Sequence, residues 1–243
     1  MSNFKIYCIN LIEREDRYNL MKTQFDKYNI DVNFLRVYKH IKGGRYGCFD
    51  SHIKCITDAY NTNLEYCIMI EDDNYIDPNF KEYLEYAMDF LNNNNKYVDI
   101  LYLQNRGLLC VYDKINENIY KCICYGTSCY ILHRRSMKIV LDTYVPYINI
   151  PLHYDIYLMK LMYNRSYCCN KFLTTSQLFT NSDNDYSYLL DKFISYIWLC
   201  EPFFNKIAFN VIYPLVQYDL FKTIYIEYVL YYIILWVNSV SFL

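Results

Sequence analysis

Three carboxylates in succession, Glu71-Asp72-Asp73, stand directly after the apolar run Tyr66-Cys67-Ile68-Met69-Ile70. Adjacent acids repel one another, so their grouping implies a counter-charge. Mg²⁺ or Mn²⁺ would supply it, since these ions take oxygen ligands, usually one or two carboxylates together with phosphate oxygens. The alternative is a polar turn in which Asp72 or Asp73 caps a following helix. Arg14 and Arg17 are three residues apart, close enough to share a helical face, and a pair of planar guanidinium forks suits phosphate. The alternative there is a solvated first turn with local ion pairs. His52 follows Asp50-Ser51 at an expected helix start, as a hydrogen-bond donor to a ligand or as a surface residue. Asp155 falls in the first turn of a helix opened by Pro151, where a carboxylate meets the positive end of the helix dipole.

The elements that must position these groups follow from periodicity. Tyr66 to Ile70 reads as a strand buried on both faces, which puts the acids at its carboxyl end, the edge where open α/β sheets hold ligands. Phe4 to Ile9, a helix over about Arg14 to Tyr28 and Val32 to Tyr38 form a β-α-β opening that implies parallel pairing. Gly43-Gly44 reads as a loop before a helix capped by Asp50 or Ser51 and running to about Asn61, whose amino terminus would be an anion site. A helix over Asn79 to Leu91 stops at the run Asn92 to Asn95. Further strands are expected at Val98 to Leu103, Cys129 to Leu132 and Tyr167 to Leu173, and a hairpin at Leu108 to Tyr112 with Tyr120 to Tyr125. Helices are expected from about Ser136 to Thr143 and after Pro151.

Composition narrows the classes. A chain of 243 residues is long enough for one large domain or two small ones. With 54% hydrophobic and 21% charged residues it belongs to the globular class. Its net charge of −2 offers no basic face, which sets nucleic-acid binding aside. The 11 cysteines form no C-x-x-C pair, so they read as reduced, packed thiols, and that favours a reducing, cytoplasmic setting. No signal peptide is read at the amino terminus. From Tyr186 the chain turns into long aromatic and aliphatic runs. Its last stretch, 224–243, has an uninterrupted apolar core of only about half the roughly 20 residues a spanning helix needs. The expectation is a domain over 1–185 and an apolar helical extension over 186–243, packed on the domain or lying at a membrane surface.

Taken in order, Ile9-Asn10-Leu11 with Arg14-x-x-Arg17, Gly47-Cys48-x-x-Ser51-His52, Ile70-Glu71-Asp72-Asp73 and Asp99-Ile100-Leu101-Tyr102-Leu103 resemble glycosyltransferase family 25. That family includes lipooligosaccharide glycosyltransferases and collagen hydroxylysine galactosyltransferases. The resemblance runs from about Lys5 to Asp183 and does not cover the tail. It implies a GT-A-type, Rossmann-like nucleotide-sugar-binding domain and transfer of a hexose, galactose or glucose, from a UDP-sugar to a hydroxyl of a glycan or hydroxylysine-type acceptor. It further implies that Glu71 and Asp73 hold Mn²⁺ or Mg²⁺ against the donor diphosphate. Asn10, Leu11 and Arg14 would line the nucleotide side, with Arg17 beside them. Ser51 and His52 would lie near the donor sugar, and Asp155 would be the base. The compact chain also resembles versions carried by large DNA viruses. Two other functions fit the same strand end: a GT-A-like scaffold without turnover, and a nucleotidyl- or phosphotransferase. The second is weakened because the chain has no G-x-x-x-x-G-K-[ST] loop.

Overall fold

A computed structural model describes residues 3–104, 111–123, 126–144, 153–169 and 174–176. Eight strands form one mixed sheet in the order β2-β1-β3-β8-β5-β9-β7-β6. These are β1 (Phe4–Leu11), β2 (Asn33–Val37), β3 (Tyr66–Glu71), β5 (Ile100–Tyr102), β6 (Val111–Lys114), β7 (Ile119–Ile123), β8 (Cys129–His133) and β9 (Ser166–Cys169). A second sheet pairs β4 (Asn74–Ile76) with β10 (Thr174–Ser176). The helices are α1 (Glu15–Lys27), α2 (Gly44–Asn61), α3 (Phe80–Asn94), α4 (Arg134–Thr143) and α5 (Tyr154–Met162).

Side chains alternate across a strand, and β3 shows why this sheet is covered twice. Cys67 and Met69 pack into one core with Phe49, Ile53 and Ile56 of α2, Met137 of α4 and Leu158 of α5. Tyr66, Ile68 and Ile70 pack into the other, with Met21 and Phe25 of α1 and Leu84, Met88 and Leu91 of α3. The result is three layers, helices on both faces of the sheet.

The expected β-α-β opening is present, with β1 parallel to β2. The chain then crosses the sheet: β3 pairs, also parallel, with the other edge of β1. The helices on the two sides of that reversal, α1 and α2, cover opposite faces. Such a reversal opens a crevice at the carboxyl ends of the strands, and here it falls between Asn10 of β1 and Glu71 of β3.

Two expectations fail locally. The helix expected to start at Asp50 or Ser51 begins at Gly44, after Gly43 with φ 96, a left-handed conformation that glycine adopts at little cost. Gly47 inside the helix is closely packed, since a Cβ there would stand 3.2 Å from the Cβ of His40. Asp50, Ser51 and His52 therefore lie in the body of α2, and no anion site exists at an amino terminus there. Likewise, neither Asp72 nor Asp73 caps a helix: β4 follows them, and the residue before α3 is Asn79. Gln24 of α1 pins β4 by accepting from Ile76 N at 2.8 Å. The 185/186 boundary, the extension over 186–243 and the 224–243 segment lie outside the described residues. Among the described residues no helix is long and apolar enough to cross a membrane.

Candidate active site

The acidic triplet is split between two environments. Asp72 turns inward, where its Oδ1 accepts from an Arg17 guanidinium nitrogen at 3.0 Å and its Oδ2 from Asn10 Nδ2 at 2.6 Å. The Arg17 and Asp72 side chains are only 7% and 10% exposed. Burial pushes the Asp72 carboxyl up, and Arg17 and Asn10 pull it back. Asn10 is itself held, accepting from Arg36 Nε at 3.2 Å and donating to Arg14 O at 3.1 Å. Arg36 is anchored in turn to Ile12 O, to Glu15 and over the Tyr18 ring. The counter-charge that the triplet demands is thus partly supplied by the protein, through Arg17.

That arrangement corrects the guanidinium-pair reading. Arg17 is buried against Asp72, while Arg14 forms a two-bond fork with Asp16, at 3.0 and 2.9 Å, and holds the Asp16 carboxyl down at about 2. Each guanidinium meets a carboxylate, so the two do not form an open phosphate clamp. Leu11 ends β1, with its carbonyl accepting from Arg14 N at 2.9 Å.

Glu71 faces the α2 side. Its Oε1 accepts from Thr127 Oγ1 at 2.7 Å and lies 3.3 Å from His52 Nε2. The His52 ring is buried, not a surface group. Its Nδ1 is 2.8 Å from the Tyr130 hydroxyl, which is 3.0 Å from that of Tyr154, and the imidazole stacks on Tyr154 with centroids 4.3 Å apart. The chain of contacts Thr127–Glu71–His52–Tyr130–Tyr154 therefore links the end of β3 to the first turn of α5. Asn74 closes the acidic turn from behind, donating to Glu71 O at 2.8 Å. Ser51 does not join this chain; its hydroxyl donates to Gly47 O at 2.7 Å within its own helix.

One turn before His52 on α2 stands Cys48. Its Sγ, a ring nitrogen of His52 and a carboxylate oxygen of Glu71 all lie within 4.8 Å of one another. Burial pushes the Cys48 thiol well up, and the negative charges of Glu71, Asp155 and Asp73 add to the shift. On the opposite face, burial and then the Asp72 charge push the Cys8 thiol well up; Asp73 stands in the turn between β3 and β4. Asp155 stands in the first turn of α5, its Oδ1 accepting from Ile156 N at 2.8 Å. A cavity of about 360 Å³ lined by Glu82, Tyr83, Glu85, Tyr86, Asp89, Asn118 and Cys169 belongs to α3 and touches none of these residues.

The structure thus joins Glu71 and His52 in one chain of contacts with Cys48 beside them, and holds Arg17 on Asp72 and Ser51 on the backbone of its own helix. Thr127, Cys48, Tyr130 and Tyr154 were missed as members of the cluster. Only Cys48, four residues before His52 on the same helix, carried a signal in its spacing.

A mixed sheet covered by helices on both faces, with Glu71 at the carboxyl end of β3 beside the β1/β3 switch point, defines an α/β protein. Residues 36–162 match the model of glycosyltransferase family 25 (LPS biosynthesis protein), and the chain belongs to that family: it is a glycosyltransferase. The match includes Ser51, His52, Glu71, Asp73 and Asp155 and begins after Asn10, Leu11, Arg14 and Arg17. No curated protein matches the chain by sequence. Among solved structures, A197 from STIV is 11% identical, with a TM-score of 0.42 over 72% of this chain and 84% of that one. Mannose-1-phosphate geranyltransferase from Thermus thermophilus is 7% identical, with a TM-score of 0.43 over 70% and 74%. A glycosyltransferase involved in the glycosylation of the major capsid of PBCV-1 is 12% identical, with a TM-score of 0.40 over 68% and 81%.

Proposed function

We propose that the chain is a metal-dependent hexosyltransferase of GT-A type that moves galactose or glucose from a UDP-sugar to a hydroxyl of a glycan or hydroxylysine-type acceptor. The observation that carries this reading is the division of the triplet. Asp72 is neutralised inward by Arg17 and Asn10, while Glu71 faces α2 and meets Thr127 and His52. Oxygen donors at a sheet's switch point fit Mn²⁺ or Mg²⁺. Glu71 and Asp73 would hold the ion, which when bound neutralises charge on the departing nucleoside diphosphate.

The protein's own residues divide the remaining work. Thr127 and His52 fix the Glu71 carboxylate from two directions, so its oxygen is already oriented when donor arrives. Asn10 sits at the crevice between β1 and β3, where it orders the turn that the nucleotide would face. Arg14 lies at the same end of β1, and a diphosphate there would draw its guanidinium away from the exposed Asp16. Asp155 is the base: its carboxylate takes the proton from the acceptor hydroxyl as that oxygen attacks the sugar.

A donor screen by UDP release, run with Mn²⁺ and with EDTA, tests the reading. Release that requires one UDP-hexose and Mn²⁺ supports it. Release indifferent to EDTA removes the metal, and no release with any UDP-sugar refutes the donor class.

A further inference from the structure

Cys48 and His52 are four residues apart on α2, so both side chains leave one face of one rigid helix. Glu71 meets them from the end of β3, bringing a sulfur, a nitrogen and an oxygen within 4.8 Å of one another. The supports of a metal site surround these atoms. Tyr130 engages His52 Nδ1 at 2.8 Å, so that Nε2 faces Glu71, and Thr127 fixes the Glu71 oxygen at 2.7 Å. A ligating histidine is ordinarily held through its other ring nitrogen in this way. Thiolate and imidazole are ligands for zinc, whereas Mn²⁺ and Mg²⁺ favour an all-oxygen set.

We propose that Cys48, His52 and Glu71 form a three-ligand site for Zn²⁺, distinct in its ligands from the Glu71–Asp73 pair and competing with it for Glu71. Binding exchanges the Cys48 S–H bond for an S–Zn bond, and the proton leaves to solvent. Three protein ligands leave a fourth tetrahedral position for water. Zn²⁺ also stands well above Mn²⁺ in affinity for a given ligand set. Zinc captured here holds Glu71 on the α2 side, where it already points, and blocks transfer; that consequence, unlike the binding itself, rests on the proposed function.

The test uses the full chain freed of metal by EDTA and titrated with Co²⁺ as a spectroscopic substitute for zinc. The expected result is a thiolate-to-cobalt charge-transfer band in the near ultraviolet that equimolar Zn²⁺ bleaches. Cys48→Ser should abolish the band and weaken zinc binding by more than about 100-fold, beyond the 10–100-fold that loss of an outer partner costs. A second measurement needs no variant: peptide-resolved alkylation of the half-buried Cys48, which Zn²⁺ should slow and Mg²⁺ should not. No charge-transfer band, a band that survives Cys48→Ser, or alkylation of Cys48 indifferent to Zn²⁺ overturns the site. Transfer that zinc leaves unchanged while the band is present overturns the competition for Glu71. A protein that shows the band but transfers no sugar supports the zinc site and refutes the proposed function instead.

Discussion

Arg17→Ala is the perturbation that best separates the structural from the ligand-binding reading of the basic residues. Arg17 and Asp72 are 7% and 10% exposed and 3.0 Å apart. Truncating Arg17 leaves a carboxylate in the interior without its guanidinium, with Asn10 still donating to the other oxygen. Breaking a buried pair by removing one partner costs about 3–5 kcal/mol, whereas an exposed pair is worth only about 0–1 kcal/mol. Denaturant unfolding should therefore show a loss in the upper range. Arg17→Ala combined with Asp72→Asn should recover much of it, because the stranded charge is gone; that recovery is a positive coupling in a double-mutant cycle. The penalty also has a pH signature. Burial already raises the Asp72 carboxyl, and removing Arg17 raises it further. The cost of the single variant should then shrink as pH falls and Asp72 takes a proton, since the neutral acid needs no cation. A loss below about 1 kcal/mol, unchanged at low pH, would mean that the pair behaves as a surface contact. The assignment of Arg17 to the fold would then be wrong.

Three further outcomes are expected. Asp73→Ala should lose Mn²⁺-dependent UDP binding in calorimetry while unfolding like the parent, because a turn-tip carboxylate packs little; a variant that binds both normally removes Asp73 from the metal. Asp155→Asn keeps size but cannot accept the hydroxyl proton, so transfer should fall by about 10²–10⁴-fold with donor affinity nearly unchanged, and an unaltered rate would reduce Asp155 to a helix-end charge. Burial, with help from Arg45, pulls the His153 imidazole down to about 4, below its ordinary 6.5. The unfolded chain thus binds the proton first, and the stability contribution present above about 6.5 should drain away as pH falls toward 4. His133, lowered mainly by burial, acts in the same direction and Asp72 in the opposite one. A melting curve of His153→Gln as steep in pH as the parent's would show that His153 does not carry the effect.

The parts of this molecule legible in the sequence are those written in local period. Tyr66 to Ile70 is apolar without alternation, and β3 is indeed buried on both faces. The first β-α-β unit was readable because its strands and helix differ plainly in periodicity. The start of α2 was not, since three glycines in Gly43-Gly44-Arg45-Tyr46-Gly47 argue against a helix by propensity alone. Packing favours the third of these glycines: a Cβ at Gly47 would crowd the His40 side chain. β4 escaped notice because it spans three residues and its partner β10 is distant in the chain. The role of Arg17 was hidden for a related reason. Its spacing from Arg14 is visible, but Asp72 lies 55 residues away, and no local pattern announces that meeting.

The inward turn of Asp72 also explains how three acids can stand together before any ligand arrives. Three ionised carboxylates at one strand end would destabilise the fold if all faced the crevice. Neutralising the middle one internally leaves Glu71 to Thr127 and His52 and Asp73 to Asn74, while the backbone between them is fixed by Asn10, Arg17 and Asn74. The same clamp joins β1 to β3 across the switch point, so the crevice floor is tied at its centre. In Glu71-Asp72-Asp73 the middle residue is then structural, and under the proposed function its two neighbours are the metal ligands. Replacing Asp72 should disturb the site through the position of its neighbours, and replacing Asp73, under the proposed function, through the loss of a ligand.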